Sequence, residues 1–165
     1  MIKVNFKQLE LNPFTVLGEE AFLLTAGDVE EWNTMAAAWG GFGFAWDSPT
    51  VYVFVRESRL TYNYMESQDK FSMSFFPPEL RSVIDYCGSN SGRKVNKAEA
   101  AGLTPVVLDG CVAFEESNLV ITCEKIVSAQ VKREDVGAAE LFAKYYSDGD
   151  LHHMYCGRVT GIYVQ

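Results

Sequence analysis

Three stretches of the chain carry residue types that can do chemistry: Asn33-Thr34-Met35-Ala36-Ala37-Ala38-Trp39-Gly40, Val55-Arg56-Glu57-Ser58-Arg59-Leu60-Thr61-Tyr62 and Cys87-Gly88-Ser89-Asn90-Ser91-Gly92-Arg93-Lys94. The first offers small side chains and backbone amides to something flat. The other two offer hydroxyls, glycines and guanidinium groups to something anionic. Together they point to a phosphorylated planar cofactor.

In the third stretch Gly88 and Gly92 permit a left-handed backbone, Ser89 and Ser91 present hydroxyls, and successive inward amides make a nest for phosphate oxygens. Arg93, Lys94 or Lys97 adds charge-assisted bonds. Arg93 follows Gly92 where a Walker loop has Lys and then Ser or Thr, which excludes that motif. A helix C-cap followed by a polar surface turn uses the same residues, and both readings stand at this point. In the second stretch Arg59 can fork onto a phosphate while Ser58 and Thr61 donate from a strand-to-helix corner. The plainer alternative, Ser58 capping a helix, is compatible, because a helix N-terminus is itself an anion site. Asn33 to Trp39 holds no acid, base or nucleophile; its alanines either let the backbone lie against a ring or pack as a tight inner strand.

His152 and His153 are the two histidines, and neighbours on a strand face opposite sides, so at most one meets a given pocket. Neither the histidines nor the widely spaced Cys87, Cys111, Cys123 and Cys156 complete a metal set, so no metal is expected. A serine or cysteine triad is disfavoured by the lack of a G-x-S-x-G elbow.

Nearly half of the 165 residues are apolar and 13% are aromatic, enough core for one domain over residues 1–165 without a metal or disulfide staple. Reduced thiols are expected. The formal charge of -8 disfavours nucleic acid and anionic membranes as partners. Arg56, Arg59, Arg93, Lys94 and Lys97 nevertheless concentrate positive charge locally, which suits a small anion. No apolar run reaches the roughly 20 residues of a membrane span, and the N-terminus lacks a secretion-signal pattern, so a cytoplasmic setting is expected.

The elements that must hold these stretches read mainly as strands. Residues 1–20 read as a short strand and loop, Ala21–Ala26 as a buried strand, and Asn33–Trp39 as a strand leading into a sharp bend at the Gly40–Phe44 run. After a Ser48-Pro49 turn, the unbroken apolar run Val51–Val55 predicts a strand buried on both faces. Leu60–Ser67 reads as a short helix, Lys70–Phe76 as a strand with one apolar face, Glu79–Cys87 and Lys94–Ala101 as helices. Cys111–Glu116 and Leu119–Glu124 predict a hairpin, with Ile126–Val131 extending it; a helix at Val136–Tyr146 and a closing strand at Met154–Val164 follow. Many short strands with a few helical insertions predict a mainly β, antiparallel barrel.

In this order, N-T-M-A-A-A-W-G, V-R-E-S-R-L-T-Y and C-G-S-N-S-G-R-K-V-N-K resemble the flavin reductase-like family, FMN-binding split barrels of the flavoredoxin type. The resemblance runs from about Leu23 to the C-terminus, where Leu151-His152-His153-Met154-Tyr155-Cys156-Gly157-Arg158-Val159 is similar to the family's terminal His-x-x-x-x-Gly strand. It implies a homodimer of split antiparallel β-barrels of Greek-key type, with FMN at the subunit interface. It implies that Asn33, Thr34, Met35 and Ala36 lie along the isoalloxazine and ribityl chain. Arg56, Ser58, Arg59 and Thr61 then reach the phosphate end, and Ser89, Ser91, Gly92, Arg93 and Lys97 close the site. His152 matches the family's C-terminal histidine near the reactive flavin face and is the one catalytic candidate. Ala36 departs from the Thr of many members, which touches redox tuning more than binding. The implied activity is hydride transfer from NADH or NADPH to flavin, then electron delivery to a small-molecule or protein acceptor. A non-catalytic FMN-binding electron carrier would use the same residues.

Overall fold

The computed structural model describes residues 1–165. The chain begins with β1 (Ile2–Val4), a 3-10 turn at Phe6–Gln8, α1 (Pro13–Thr15), a π turn at Val16–Glu20, β2 (Phe22–Gly27), β3 (Trp32–Ala37), β4 (Gly40–Ala45) and β5 (Ser48–Arg56). It continues with α2 (Leu60–Ser67), β6 (Lys70–Phe75), α3 (Arg81–Ser89), α4 (Lys97–Ala100), β7 (Pro105–Leu108), β8 (Cys111–Phe114), β9 (Leu119–Gln130), α5 (Ala139–Tyr146) and β10 (His152–Val164). All pairings are antiparallel, and the main sheet runs β3-β2-β6-β9-β10-β5-β4, with β1 added to β10. β3 and β4 lie at opposite edges of that sheet, yet only Ala38 and Trp39 join them. The sheet must therefore curl until its edges meet at a seam, which is the architecture of a split barrel. Register shifts at Cys156/Gly157 and Val159/Gly161 bend β10 round that curve.

The inside of the barrel is filled by Phe22, Leu24, Val51, Val53, Val55, Phe71, Met73, Phe75, Ile121 and Tyr155, side chains that each contribute about 1.5–3 kcal/mol on burial. A second layer, with Leu23, Val83, Ile84, Cys87 and Phe114, forms where α3 covers the outer face of β2. This is why β2 is apolar without interruption. β5 is different: Val51, Val53 and Val55 point inward, but Tyr52 and Phe54 are only half-buried. Its apolar run reflects an aromatic outer face, not burial on both sides. β6 departs the other way, with Phe71 to Phe75 all buried, because β8 covers its second face and Ser72 Oγ donates to the Val112 carbonyl.

The pairing of β8 also corrects the expected hairpin. β8 pairs with β7, while β9 runs between β6 and β10 as far as Gln130. The Gly40–Phe44 run is strand β4, and Ser48 and Pro49 belong to β5; the turn between them is Trp46-Asp47, both left-handed at φ 50° and 54°. Residues 5–20 hold helical turns capped by Asn5 and Asn12 where a loop was expected. The short helix expected from Lys94 starts at Lys97, capped by Asn96, and the last helix starts at Ala139, not Val136. The four cysteines are buried and free. No helix is long and apolar enough to cross a membrane.

Candidate functional site

A trough opens along the seam beside β3. One lobe, about 180 Å³, is lined by Asn33, Met35, Ala36, Ser58, Arg59, Thr61, the Cys87–Arg93 segment and Lys97. The other, about 240 Å³, is lined by Met35 to Trp39, Phe54, Arg56, Arg59 and His152. Met35, Ala36 and Arg59 border both, so one continuous groove is cationic and rich in donors at one end and flat and apolar at the other.

The polar end is built by the start of α2 and the chain beyond α3. Leu60 and Thr61, at the N-terminus of α2, and Ser91 and Gly92 have backbone amides with no partner in the chain. Free amides at a helix start favour an anion, and Arg59, the N-cap, lends its guanidinium, which no acidic side chain engages. Arg93 Nη1 donates to the Ser58 carbonyl at 3.0 Å and so ties the two loops together. Lys97 is buried and donates to the Cys87 carbonyl at 2.7 Å, satisfying the C-terminal end of α3. Burial holds its ammonium below the ordinary lysine value, against the opposing effect of the Cys87 thiol.

The glycines act differently from the sequence expectation. Neither Gly88 nor Gly92 has a left-handed backbone. Gly88 lies in α3, and its Cβ position is 3.2 Å from the Ala36 Cβ, so glycine lets that helix approach β3. Gly92 faces Asn33, whose Oδ1 is 1.9 Å from where a Cβ would stand. Asn33 is fixed there by donating to Thr61 Oγ1 at 2.7 Å and to the Thr34 carbonyl at 3.1 Å. The amides of Cys87 to Ser89 belong to the helix, so the helix-end reading holds for the first half of that stretch and an open turn only from Ser91.

Four residues named from sequence have their polar groups engaged within the chain. Thr34 is buried at 1% exposure and its hydroxyl pairs with Thr25 and the Leu24 carbonyl, so it lines neither lobe. Arg56 borders the apolar lobe, not the polar one, and is already bonded to the Tyr145 and Asp150 carbonyls at 2.7 and 3.0 Å, with Asp148 and Asp150 carboxylates beside it. Ser58 lines the polar lobe but gives its amide and hydroxyl to Asp150 at 3.1 and 2.7 Å, and Ser89 Oγ donates to the Asp85 carbonyl. Burial raises the Asp150 carboxyl, but the bonds from Ser58 and the charge of Arg56 outweigh it and leave it below the ordinary value. Asp150 carries no signal of this role in the sequence, and nothing in its neighbourhood along the chain announces its hold on Ser58.

At the apolar end His152 is stacked near Trp39, ring centroids 4.8 Å apart at 31°, with Phe54 and Tyr146 edge-on. Its Nδ1 is 3.0 Å from the Tyr146 hydroxyl. Burial, helped by Arg56 and Arg59, depresses the imidazole to about 4, so it is neutral near pH 7. His153 faces the other side, bonded to Glu57 at 2.9 Å, as strand alternation requires. Phe54 and Tyr146 are the functional candidates that sequence reading passed over, and Trp39 entered it only as the end of the small-residue stretch; the outward aromatic of β5 was the one available signal for Phe54.

A split barrel with such a trough at its seam defines a class, and comparison with known proteins places the chain within it. Residues 17–165 match the flavin reductase like domain, and the chain belongs to that family. No curated protein sequence matches it. Among solved structures it is similar to flavoredoxin of Desulfovibrio vulgaris (Miyazaki F), at 23% identity and TM-score 0.68 over 88% of this chain and 69% of that one. The FMN-binding protein from Thermus thermophilus gives 21% identity and TM-score 0.70 over 99% and 82%. The Streptomyces globisporus C-1027 NADH:FAD oxidoreductase gives 13% and 0.66 over 88% and 75%. At these identities the likeness speaks to the fold.

Proposed function

We propose that the trough binds FMN and that the protein is an oxidoreductase taking hydride from NADH or NADPH and delivering electrons to a small-molecule or protein acceptor. The observation that carries this reading is the two-ended groove: free amides and Arg59 suited to a phosphate monoester at one end, a flat apolar wall at the other. The names of the FMN-binding and NADH-dependent structural neighbours support it. The amides of Leu60, Thr61, Ser91 and Gly92 with Arg59 would hold the phosphate, Asn33, Met35 and Ala36 the middle, and Ala37, Ala38 and Trp39 the ring. Arg93 and Asp150 act by fixing Ser58 and the loop, and Lys97 by closing the end of α3. Bound FMN supplies the hydride and electron chemistry itself; the chain supplies orientation, charge and exclusion of water. A cytoplasmic setting suits the four free thiols.

Anaerobic mixing of the FMN-loaded protein with NADH and, separately, NADPH tests the activity. One of the two should bleach the oxidised flavin band at least about 100-fold faster than the same FMN free in buffer, a barrier lowering of roughly 2.7 kcal/mol. Retained FMN with no bleaching by either nucleotide would leave an electron carrier and reject the enzyme.

We also propose a homodimer with FMN at the subunit interface. β4 is an edge strand of the barrel, and Phe44 on it and Trp39 and Trp46 immediately flanking it are 66%, 41% and 63% exposed. Trp39 is also a wall of the apolar lobe, so a second copy seated on this edge would close the ring end of the groove. The double change Phe44→Asp, Trp46→Asp is expected to yield a monomer by sedimentation equilibrium and to weaken FMN retention by about tenfold or more. A dimer that survives both charges sinks this placement of the interface.

A further inference from the structure

His152 of β10, on the wall of the apolar lobe, has one polar partner with no assigned task, Tyr146 of α5. Both are 8% exposed, and the phenol has a single partner, His152 Nδ1 at 3.0 Å. Either the phenol donates to a bare Nδ1 and the ring proton sits on Nε2, or Nδ1–H donates to the phenol and the buried O–H is left with no acceptor. The second arrangement is disfavoured by roughly tenfold or more, because a buried donor without a partner loses its hydration for nothing. Burial also keeps the phenol protonated, with Arg56 beside its ring as a weaker opposing influence. The same surroundings keep the imidazole from acquiring a second proton near neutrality.

His152 Nε2 has no partner in the chain, and His152 lines the lobe with its ring against Trp39 and Phe54, two of the other lining residues. We propose that Tyr146 is a positioning residue that fixes His152 as an Nε2–H donor facing the apolar lobe, so that the lobe selects a flat ligand presenting a carbonyl-type oxygen. The side chains of Ala37, Ala38, Trp39 and Phe54 offer only apolar surface, the Arg56 guanidinium is bonded to the Tyr145 and Asp150 carbonyls, and Arg59, which borders both lobes, belongs to the polar end. Tyr146 therefore sets the sign of the hydrogen bond that His152 offers to the lobe. The ligand preference rests on the redox reading of the trough, but the tautomer does not.

Long-range proton–nitrogen correlation spectra of the full-length, uniformly labelled protein test both parts. His153→Gln assigns the two imidazoles, since His153 lies on the opposite strand face against Glu57. His152 should carry its proton on Nε2, and Tyr146→Phe should lower the Nε2–H to Nδ1–H ratio by about tenfold or more. A proton on Nδ1 in the parent protein, or an unchanged ratio in Tyr146→Phe, overturns the positioning role. Nicotinamide should move the Nε2 and Nε2–H resonances whereas 3-methylpyridine, which lacks the carbonyl, should not; equal shifts from both overturn the selection. A protein purified without flavin but with the tautomer as stated would count against the cofactor reading alone.

Discussion

Gly92→Ala should weaken FMN binding by about 10- to 100-fold, roughly 1.4–2.8 kcal/mol, with a far smaller effect on folding. The methyl carbon would stand 1.9 Å from Asn33 Oδ1, 2.9 Å from Asn33 Cγ and 3.2 Å from Leu60 Cδ2, so something must move. Asn33 is 7% exposed and holds Thr61, which is fully buried, through a 2.7 Å bond; pushing Asn33 aside leaves that hydroxyl without its partner. Moving the loop instead displaces the free amides of Ser91 and Gly92 from those of Leu60 and Thr61. Either route spoils the polar lobe, and the barrel core contains none of these residues. The melting temperature should fall by only about 2–4 °C if folding loses about 1 kcal/mol. Gly137→Ala is the matched control, since nothing lies within 4 Å of its Cβ position. Fluorescence titration of FMN into both variants decides the matter: parental affinity in Gly92→Ala would mean that the polar lobe is not where the phosphate sits.

That prediction also marks what could be read from residue order. Anion sites need hydroxyls, glycines and guanidinium groups in short runs at element ends, so Ser58 to Thr61 and Ser91 to Arg93 stood out, and the fold brings them to one cavity. The reason for glycine at Gly92 was not legible, because the obstacle is Asn33, from a strand far earlier in the chain. Pairing was misread for the same kind of reason. β8 and β9 are adjacent and both apolar, which suggests a hairpin, but β9 finds partners on both sides in β6 and β10 while β8 is left to β7. The doubly apolar look of β5 misled because an outward aromatic face, required for the groove wall at Phe54, has the same composition as a buried one. Asp150 and Tyr146 act on Ser58 and His152 only through tertiary packing; Asp150 is 92 positions from Ser58, a separation that no local pattern encodes.

Acid should destabilise the protein through His152 before its carboxylates respond. The imidazole has an ordinary value of 6.5 and is depressed in the fold to about 4 by burial first, then by Arg56 and Arg59, with Asp150 pulling the other way. Between those values the unfolded chain binds a proton that the folded chain refuses, so the unfolding free energy falls as the pH is lowered through this window. The contribution is complete above pH 6.5 and gone by about 4, a loss on the order of 3 kcal/mol. Asp28, Asp109 and Asp150 lie below their ordinary 3.8, so the stability they add is lost only at lower pH, and the two limbs separate. Urea unfolding at intervals between about pH 7 and about pH 4 should show the decline in the parent and a much flatter line in His152→Gln. A variant with the full parental slope would place the titrating group elsewhere. The same depression bears on chemistry: above about pH 5 His152 holds one proton throughout, so its titration should put no inflection in the rate of flavin bleaching between about pH 5.5 and about pH 8. Under the proposed hydride-transfer reading, a residue that keeps one proton across that range acts as a hydrogen-bond donor to the nucleotide, and replacing it should raise KM for the nicotinamide nucleotide more than it lowers kcat.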